Sequence, residues 1–359
     1  MPRAPRRSGI ALLLALACLT PAGAGGQQST SPARSTRADG WVVPRTADGR
    51  PDLEGVWENN SATPLERPRQ LGDKARLSDE ELASLERRAR TLFSPDADAV
   101  FGDALYIALL ADNRPAGLGA TGTYSQNWLP DRYFEHRTSL IVDPPDGRLP
   151  PPTAAGARVR AAAAGRFGRS ADAAQDMSLQ DRCIHYGFPD LFAAYMSVYR
   201  IVQTPGHVAI QMEKIHDARV IPLDPSTRSG SPQAESRGDG RPRRPSSIRQ
   251  YLGDSRGRWE GDTLVVETTN FHPKGNPMGG YNTLSDENLR LVERFRRIAD
   301  DTLEYTFTVD NPTMWTRPWT AVINWKRSRG ELLEYACHEG NYSLRGMLSA
   351  ARADEAAGR

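Results

Sequence analysis

Between Leu303 and Val309 every second residue is apolar. Leu303, Tyr305, Phe307 and Val309 alternate with Glu304, Thr306 and Thr308. A period of two divides these residues between the faces of a strand, because successive side chains of a pleated chain point to opposite sides. The pattern recurs in "VYRIVQTPGHVAIQME", where Val208, Ile210 and Met212 oppose His207, Gln211 and Glu213 after a Thr-Pro-Gly turn. "RWEGDTLVVETTNF" sets Gly-Asp between two such runs, a hairpin signal. "LRLVERFRRIADDTLEYTFTV" is another hairpin, and "RTSLIVDPPDGRLP", "WTAVINWKR" and "ELLEYAC" read as further strands. Hairpins in succession make an antiparallel meander, whose edges must be covered or closed. The expected fold is mainly β: a calycin- or lipocalin-like barrel or a strongly curled sheet. The alternative is a two-sheet sandwich.

Helices flank this sheet. "LSDEELASLERRARTLF" carries a capping box, Ser78 with Glu81 three residues on, followed by Leu82, Leu85 and Ala89 at helical spacing. "NYSLRGMLSAAR" predicts a C-terminal helix with Asn341 as N-cap and Leu344, Met347, Leu348 and Ala351 on one stripe. Residues 150 to 176 read equally as a loop or a short exposed helix. The expected organisation is a signal peptide over 1–24 and a disordered leader over 25–40. An N-terminal segment follows over 41–136, with one clear helix and a short strand near Val56 and Trp57. The β domain then covers 137–353, interrupted by a flexible polar insertion over 224–247. Arg241, Arg243 and Arg244 in that insertion are read as solvated rather than as a binding patch.

The start of the chain predicts export. Arg3, Arg6 and Arg7 precede an apolar run from Ile10 to Leu19, and the small residues Ala22 and Ala24 follow. That is a secretory signal peptide, cleaved after Ala24; the run falls well short of the roughly 20 residues that span a bilayer. Lipidation at Cys18 and twin-arginine export are the variants. Removing three arginines from 46 basic residues leaves one cation fewer than the 44 acids. A near-neutral mature chain gives no reason to expect nucleic acid. Of the 3 cysteines, Cys183 and Cys337 survive cleavage. In an oxidising compartment they predict one disulfide, closing a loop of roughly 155 residues and contributing about 5 kcal/mol on the chain-entropy model. Two buried free thiols are the alternative.

Five stretches, "RTSLIVDPPDGRLPP", "IHDARVIPL", "LGDSRGRWEGDTLVVETTNF", "WTRPWTA" and "YACHEGNYSL", together resemble a family of exported bacterial proteins generally labelled hypothetical. The similarity runs from about Ala47 to Ala351. It implies export and a shared fold, and carries no activity, cofactor or catalytic residue. The insertion over 224–247 looks longer than that family's link.

Several residues invite a chemical reading. Cys183, His185, Cys337 and His338 have zinc-ligand types. On a strand, however, Cys337 and His338 would face opposite ways, with Cys337 in register with Leu333 and Tyr335. A metal would also compete with the disulfide. Neither a metal nor a cofactor is expected. Glu339 beside a helix N-terminus has an electrostatic explanation, which leaves His338 as a candidate base. His216, Asp217 and Arg219 crowd a strand end; adjacent residues on a strand cannot easily pair, so an acid serving His216 would come from elsewhere. The bland reading is a turn closed by Asp217 with Arg219 in an ion pair. Glu293 lies in register with Leu291 and Phe295, and Glu267 with Val265 and Phe271. A buried carboxylate needs a cation or several hydrogen bonds, and Arg219 or Arg137 is the expected partner; the alternative is that the register slips at a bulge and the glutamates face water. Aromatics cluster at Trp315, Trp319 and Trp325, and at Tyr124, Trp128, Tyr133 and Phe134; such residues wall pockets and, more commonly, fill cores. No nucleophile elbow, P-loop or dinucleotide fingerprint occurs.

The favoured function is an exported barrel binding a small apolar or aromatic molecule, with Arg137, Arg219, Trp319 and Trp325 at the ligand. The alternative is a periplasmic hydrolase or lyase, with His216 or His338 as base and Glu293 or Glu267 as acid. Intact-mass analysis of the exported protein is expected to give a chain beginning at Gly25 with no titratable thiol. A chain retaining Met1 contradicts the export signal.

Overall fold

The computed structural model describes residues 41–92, 103–111, 131–166, 171–191, 197–224, 248–273 and 285–358. The expected signal peptide, Tyr124, Trp128 and residues 225–247 of the expected insertion lie outside these residues. Ten strands form one sheet. They are β1 (Gly55–Glu58), β2 (Ile141–Asp143), β3 (Val198–Thr204), β4 (His207–Met212), β5 (Ala218–Pro222), β6 (Asp254–Glu260), β7 (Thr263–Thr269), β8 (Arg290–Ala299), β9 (Thr302–Asp310) and β10 (Trp319–Arg327). Four helices accompany them: α1 (Asp79–Leu92), α2 (Asp103–Ala111), α3 (Ala154–Arg166) and α4 (Tyr342–Ala356). No helix among the described residues is long and apolar enough to cross a membrane.

The order around the sheet is β5-β4-β3-β1-β10-β9-β8-β7-β6, and every pair along it is antiparallel. This is a nearly closed barrel, which excludes the two-sheet sandwich. Parity controls its closure. In an odd ring of antiparallel neighbours the first and last strands run the same way, so the seam between β5 and β6 has to be parallel. The seam contains one parallel bridge, Leu223 to Gly257, and the Asp224 amide donates to the Gly257 carbonyl at 2.9 Å. A Cβ on Gly257 would lie 2.8 Å from Leu223 Cδ2 and 3.0 Å from Ile221 Cγ2, so glycine is what lets the two strands approach. Consecutive parallel strands need a long crossover, and the chain between β5 and β6 provides it.

The β strand from the N-terminal segment is fourth in this order. Trp57 pairs with Tyr199 on one side and Arg327 on the other. β2 occupies the edge of β10 that β1 leaves free, with Ala321 opposite Ile141. Both edges of β10 are therefore taken, and this explains a correction. "ELLEYAC" is not a strand: residues 331–336 make no ladder, and Leu333 is 66% exposed. No free edge was left for it, and the register that placed Cys337 with core residues Leu333 and Tyr335 does not exist.

Alternation is otherwise realised. Leu303, Tyr305, Phe307 and Val309 are fully buried, and the β3–β4, β6–β7 and β8–β9 hairpins form where the turn residues indicate. Gly261 takes φ +59° in the β6–β7 turn, a left-handed conformation that favours glycine. Ser78 and Glu81 close their capping box reciprocally, at 3.2 and 2.9 Å. Asn341 caps α4 through the Leu344 amide. Residues 150–176 contain α3. α1 packs against α2, a second N-terminal helix, around Leu85, Tyr106 and Leu109. α2 is apolar on every side, so its sequence lacks the stripe that marks an amphipathic helix.

The barrel interior is solid with rings. Trp325 stacks on Tyr199 at 4.3 Å, Phe295 stacks on Tyr305 at 4.8 Å, and Trp319 meets Phe307 edge-on at 5.7 Å. Trp325→Ala is expected to cost about 3–5 kcal/mol in urea unfolding, while Leu333→Ala stays within about 0.5 kcal/mol. Equal losses would contradict the assignment of inside and outside.

Candidate functional site

Five neighbouring strands each send one polar side chain into the interior: Arg219 from β5, Ser255 from β6, Thr268 from β7, Glu293 from β8 and Tyr305 from β9. Arg219 grips Glu293 with both terminal nitrogens, Nη1 to Oε1 at 3.0 Å and Nη2 to Oε2 at 2.6 Å. Nη2 also lies 3.0 Å from Ser255 Oγ and from Thr268 Oγ1, and the Tyr305 hydroxyl donates to Glu293 Oε1 at 2.8 Å. Phe188 covers the guanidinium at 4.5 Å. Burial disfavours the guanidinium charge, and the Glu293 carboxylate more than offsets it, so the Arg219 pKa is raised. Burial, with Glu293 beside it, drives the Tyr305 phenol far above its usual range. The network spans the seam: Arg219 stands on one side, and Ser255, Thr268 and Glu293 on the other.

Three tight hairpins occupy one end of the barrel. The longer connections gather at the other, around the starts of β3, β5, β6, β8 and β10. There the segment Cys183–Leu191 meets the turn Glu213–Asp217 through two polar pairs. Lys214 Nζ contacts Asp190 Oδ2 at 2.6 Å and lies over the Tyr186 ring at 4.2 Å. Burial lowers the Lys214 pKa, against the pull of Asp190. Asp217 Oδ2 accepts from His185 Nδ1 at 2.9 Å and from the Tyr186 amide at 3.4 Å. His185 is 2% exposed, and its Nε2 is buried with no hydrogen-bond partner among the described residues. A carboxylate at Nδ1 takes the N–H, which leaves Nε2 as an acceptor. The His185 ring faces Tyr251 at 6.3 Å, and Tyr251 faces His272 at 4.9 Å; both Tyr251 and His272 are half-buried.

The turn that aims Lys214 and Asp217 is strained. Ile215 and His216 sit at φ +58° and +55°, and left-handed geometry is unfavourable for a β-branched residue. The segment opposite is tied by the disulfide Cys183–Cys337, with Cα atoms 5.7 Å apart and a sequence separation of 154. The bridge fastens the tail after β10, not a last strand. That tail crosses the turn: the Tyr335 amide donates to His216 Nε2 at 3.2 Å, and the Leu333 amide to Glu213 Oε2 at 3.4 Å.

The expected site residues therefore separate. Glu293 faces inward with Arg219 as its partner. Glu267 is on the outer face, paired with Arg290 at 2.8 Å. Leu264, Val266 and Thr268 line the interior, so the run "LVV" had suggested the opposite face. Arg137 donates to the Val322 carbonyl at 2.9 Å and pairs with Glu135, away from Glu293. Trp319 and Trp325 are core. His216 has its ring nitrogen engaged by the tail, and His338 is exposed in the turn before α4. Asp217 closes its turn by orienting His185, a histidine read only as a possible zinc ligand. Residues 185 and 217 are separated by 32 positions in sequence, so no local signal joins them. Among the described residues no group of three His, Cys, Asp or Glu could hold a metal ion.

No family model, no curated protein and no solved structure matches the chain.

Breaking a buried pair strands a charge, whereas replacing both partners does not. Arg219→Met or Glu293→Leu alone is expected to cost about 3–5 kcal/mol in urea unfolding. The double variant should recover a large part, leaving the smaller loss from orphaned Tyr305, Ser255 and Thr268. Strict additivity of the single losses would contradict the pairing.

Proposed function

We propose that this is an exported barrel protein that binds a small aromatic molecule at its loop-bearing end. His185 is the polar anchor, and Tyr251 and His272 form the aromatic wall. The observation that carries this reading is the unpartnered Nε2 of a buried histidine whose other nitrogen is held by a carboxylate. A buried acceptor left unpaired costs about 1–3 kcal/mol, and a ligand hydroxyl would satisfy it. The interior aromatics are poor candidates for the binding surface, since they already contact one another. The ligand is neutral: Lys214 and Arg219, the buried cations at this end, are each matched by a carboxylate. A phenol fits these requirements, with a ring for Tyr251 and a donor for Nε2.

Titration of the mature protein with phenol and 4-nitrophenol, followed by calorimetry, tests the reading. Saturable binding is expected, weakened at least tenfold by His185→Phe, about the 1.4 kcal/mol of one lost hydrogen bond. Binding that is indifferent to His185 and Tyr251 would move the site elsewhere.

A further inference from the structure

The anchor is built more rigidly than a binding contact requires. Asp217 is held by two donors, His185 Nδ1 and the Tyr186 amide. It follows two consecutive left-handed residues, Ile215 and His216. Strain of this kind persists only where the surroundings over-determine it, and it concentrates at reacting groups. Two residues before His185, Cys183 is bonded covalently to the tail, and the tail holds the strained turn through His216 and Glu213. The imidazole is thus fixed from both sides, with its Nε2 buried and without a hydrogen-bond partner among the described residues.

An imidazole oriented at Nδ1 by a carboxylate and free at Nε2 is the arrangement of a general base. No serine or threonine hydroxyl and no thiol among the described residues bonds Nε2, and both mature cysteines are in the disulfide. The proton it takes must then come from water or from the ligand.

Resting on the binding reading above, we infer that the site hydrolyses uncharged aryl esters, with His185 as the catalytic base and Asp217 as its positioning residue. Water gives a proton to Nε2 as its oxygen bonds to the ester carbonyl carbon. The bond from that carbon to the aryloxy oxygen then breaks, and the imidazolium returns its proton to the departing phenolate. The products are a carboxylic acid and a phenol. Asp217 keeps its hydrogen bond to Nδ1 throughout and stabilises the imidazolium.

The experiment uses the mature disulfide-bonded protein with phenyl acetate and 4-nitrophenyl acetate. Saturable hydrolysis is expected without a stoichiometric burst of phenol, because no acyl-enzyme forms. His185→Gln should reduce kcat/KM by about 100-fold or more. Asp217→Asn should lower kcat with KM nearly unchanged, and Asp217→Glu should restore part of it. His207→Gln and His338→Gln, which alter exposed imidazoles, should match the parent and so exclude surface histidines as the source. Near-UV circular dichroism checks that each variant keeps its aromatic core. If His185→Gln unfolds, the Asp217 pair and the absence of a burst decide the matter. Hydrolysis no faster than buffer, or undiminished in the folded His185 or Asp217 variants, overturns the inference; a one-equivalent burst overturns the water step. Phenol binding that persists without hydrolysis leaves the binding reading standing alone, whereas loss of both removes the two together.

Discussion

Nine strands, each antiparallel to the next, leave β5 and β6 parallel at the seam, and the Arg219–Glu293 pair spans it. The backbone contributes one bridge there, Leu223 to Gly257. The side chains contribute a fork of two charge-assisted hydrogen bonds, reinforced by Ser255, Thr268 and Tyr305. Charge-assisted bidentate bonds are the strongest and most directional that side chains make. An apolar seam could slide by two residues and still bury its side chains, whereas an arginine that must meet one carboxylate and two hydroxyls cannot. The pair therefore specifies register more than it adds stability, since desolvation consumes much of its attraction.

The same constraint organises the loop-bearing end. β5 begins at Ala218, immediately after the strained turn, so the strand that carries Arg219 across the seam also sets the position of Asp217. Phe188 covers the Arg219 guanidinium, and its ring packs on Tyr199, Tyr305 and Trp325. His185 stands three residues earlier on the same segment. The candidate site and the core network are thus two faces of one assembly, joined through β5 and through the segment that the disulfide secures.

On the outer surface, opposite charges face each other between strands. Arg290 with Glu267, Arg294 with Glu260, and Arg296 with Glu304 make a ladder over β6 to β9. Such exposed pairs contribute little individually. Arginine paired with glutamate nonetheless lets this face be strand-forming without being greasy. It also explains why "RLVERFRRIA" carries so many charges while every second residue, Leu291, Glu293, Phe295 and Arg297, is buried.

Period-two alternation, turn residues and capping boxes are local, and from them the strands β3, β4 and β6 to β10, their hairpins, α1 and α4 could be read directly. Glu293 was legible too, because a lone acid in an apolar register demands a cation. Glu267 was not, because three consecutive apolar residues, Leu264 to Val266, leave the face of a strand undetermined. Strand pairing between distant segments decided what remained. Whether "ELLEYAC" could become a strand depended on β1 and β2 already occupying the edge of β10. Whether His185 or His216 met Asp217 depended on two backbone dihedrals at Ile215 and His216 that no residue type there favours. The amino-acid order by itself determined which residues face the core in the β3–β4 and β8–β9 hairpins, since clean alternation needs only the neighbours in the chain. Tertiary structure alone decided the parallel seam, the partner of Arg219 and the pairing of His185 with Asp217, because each depends on where remote backbone comes to rest.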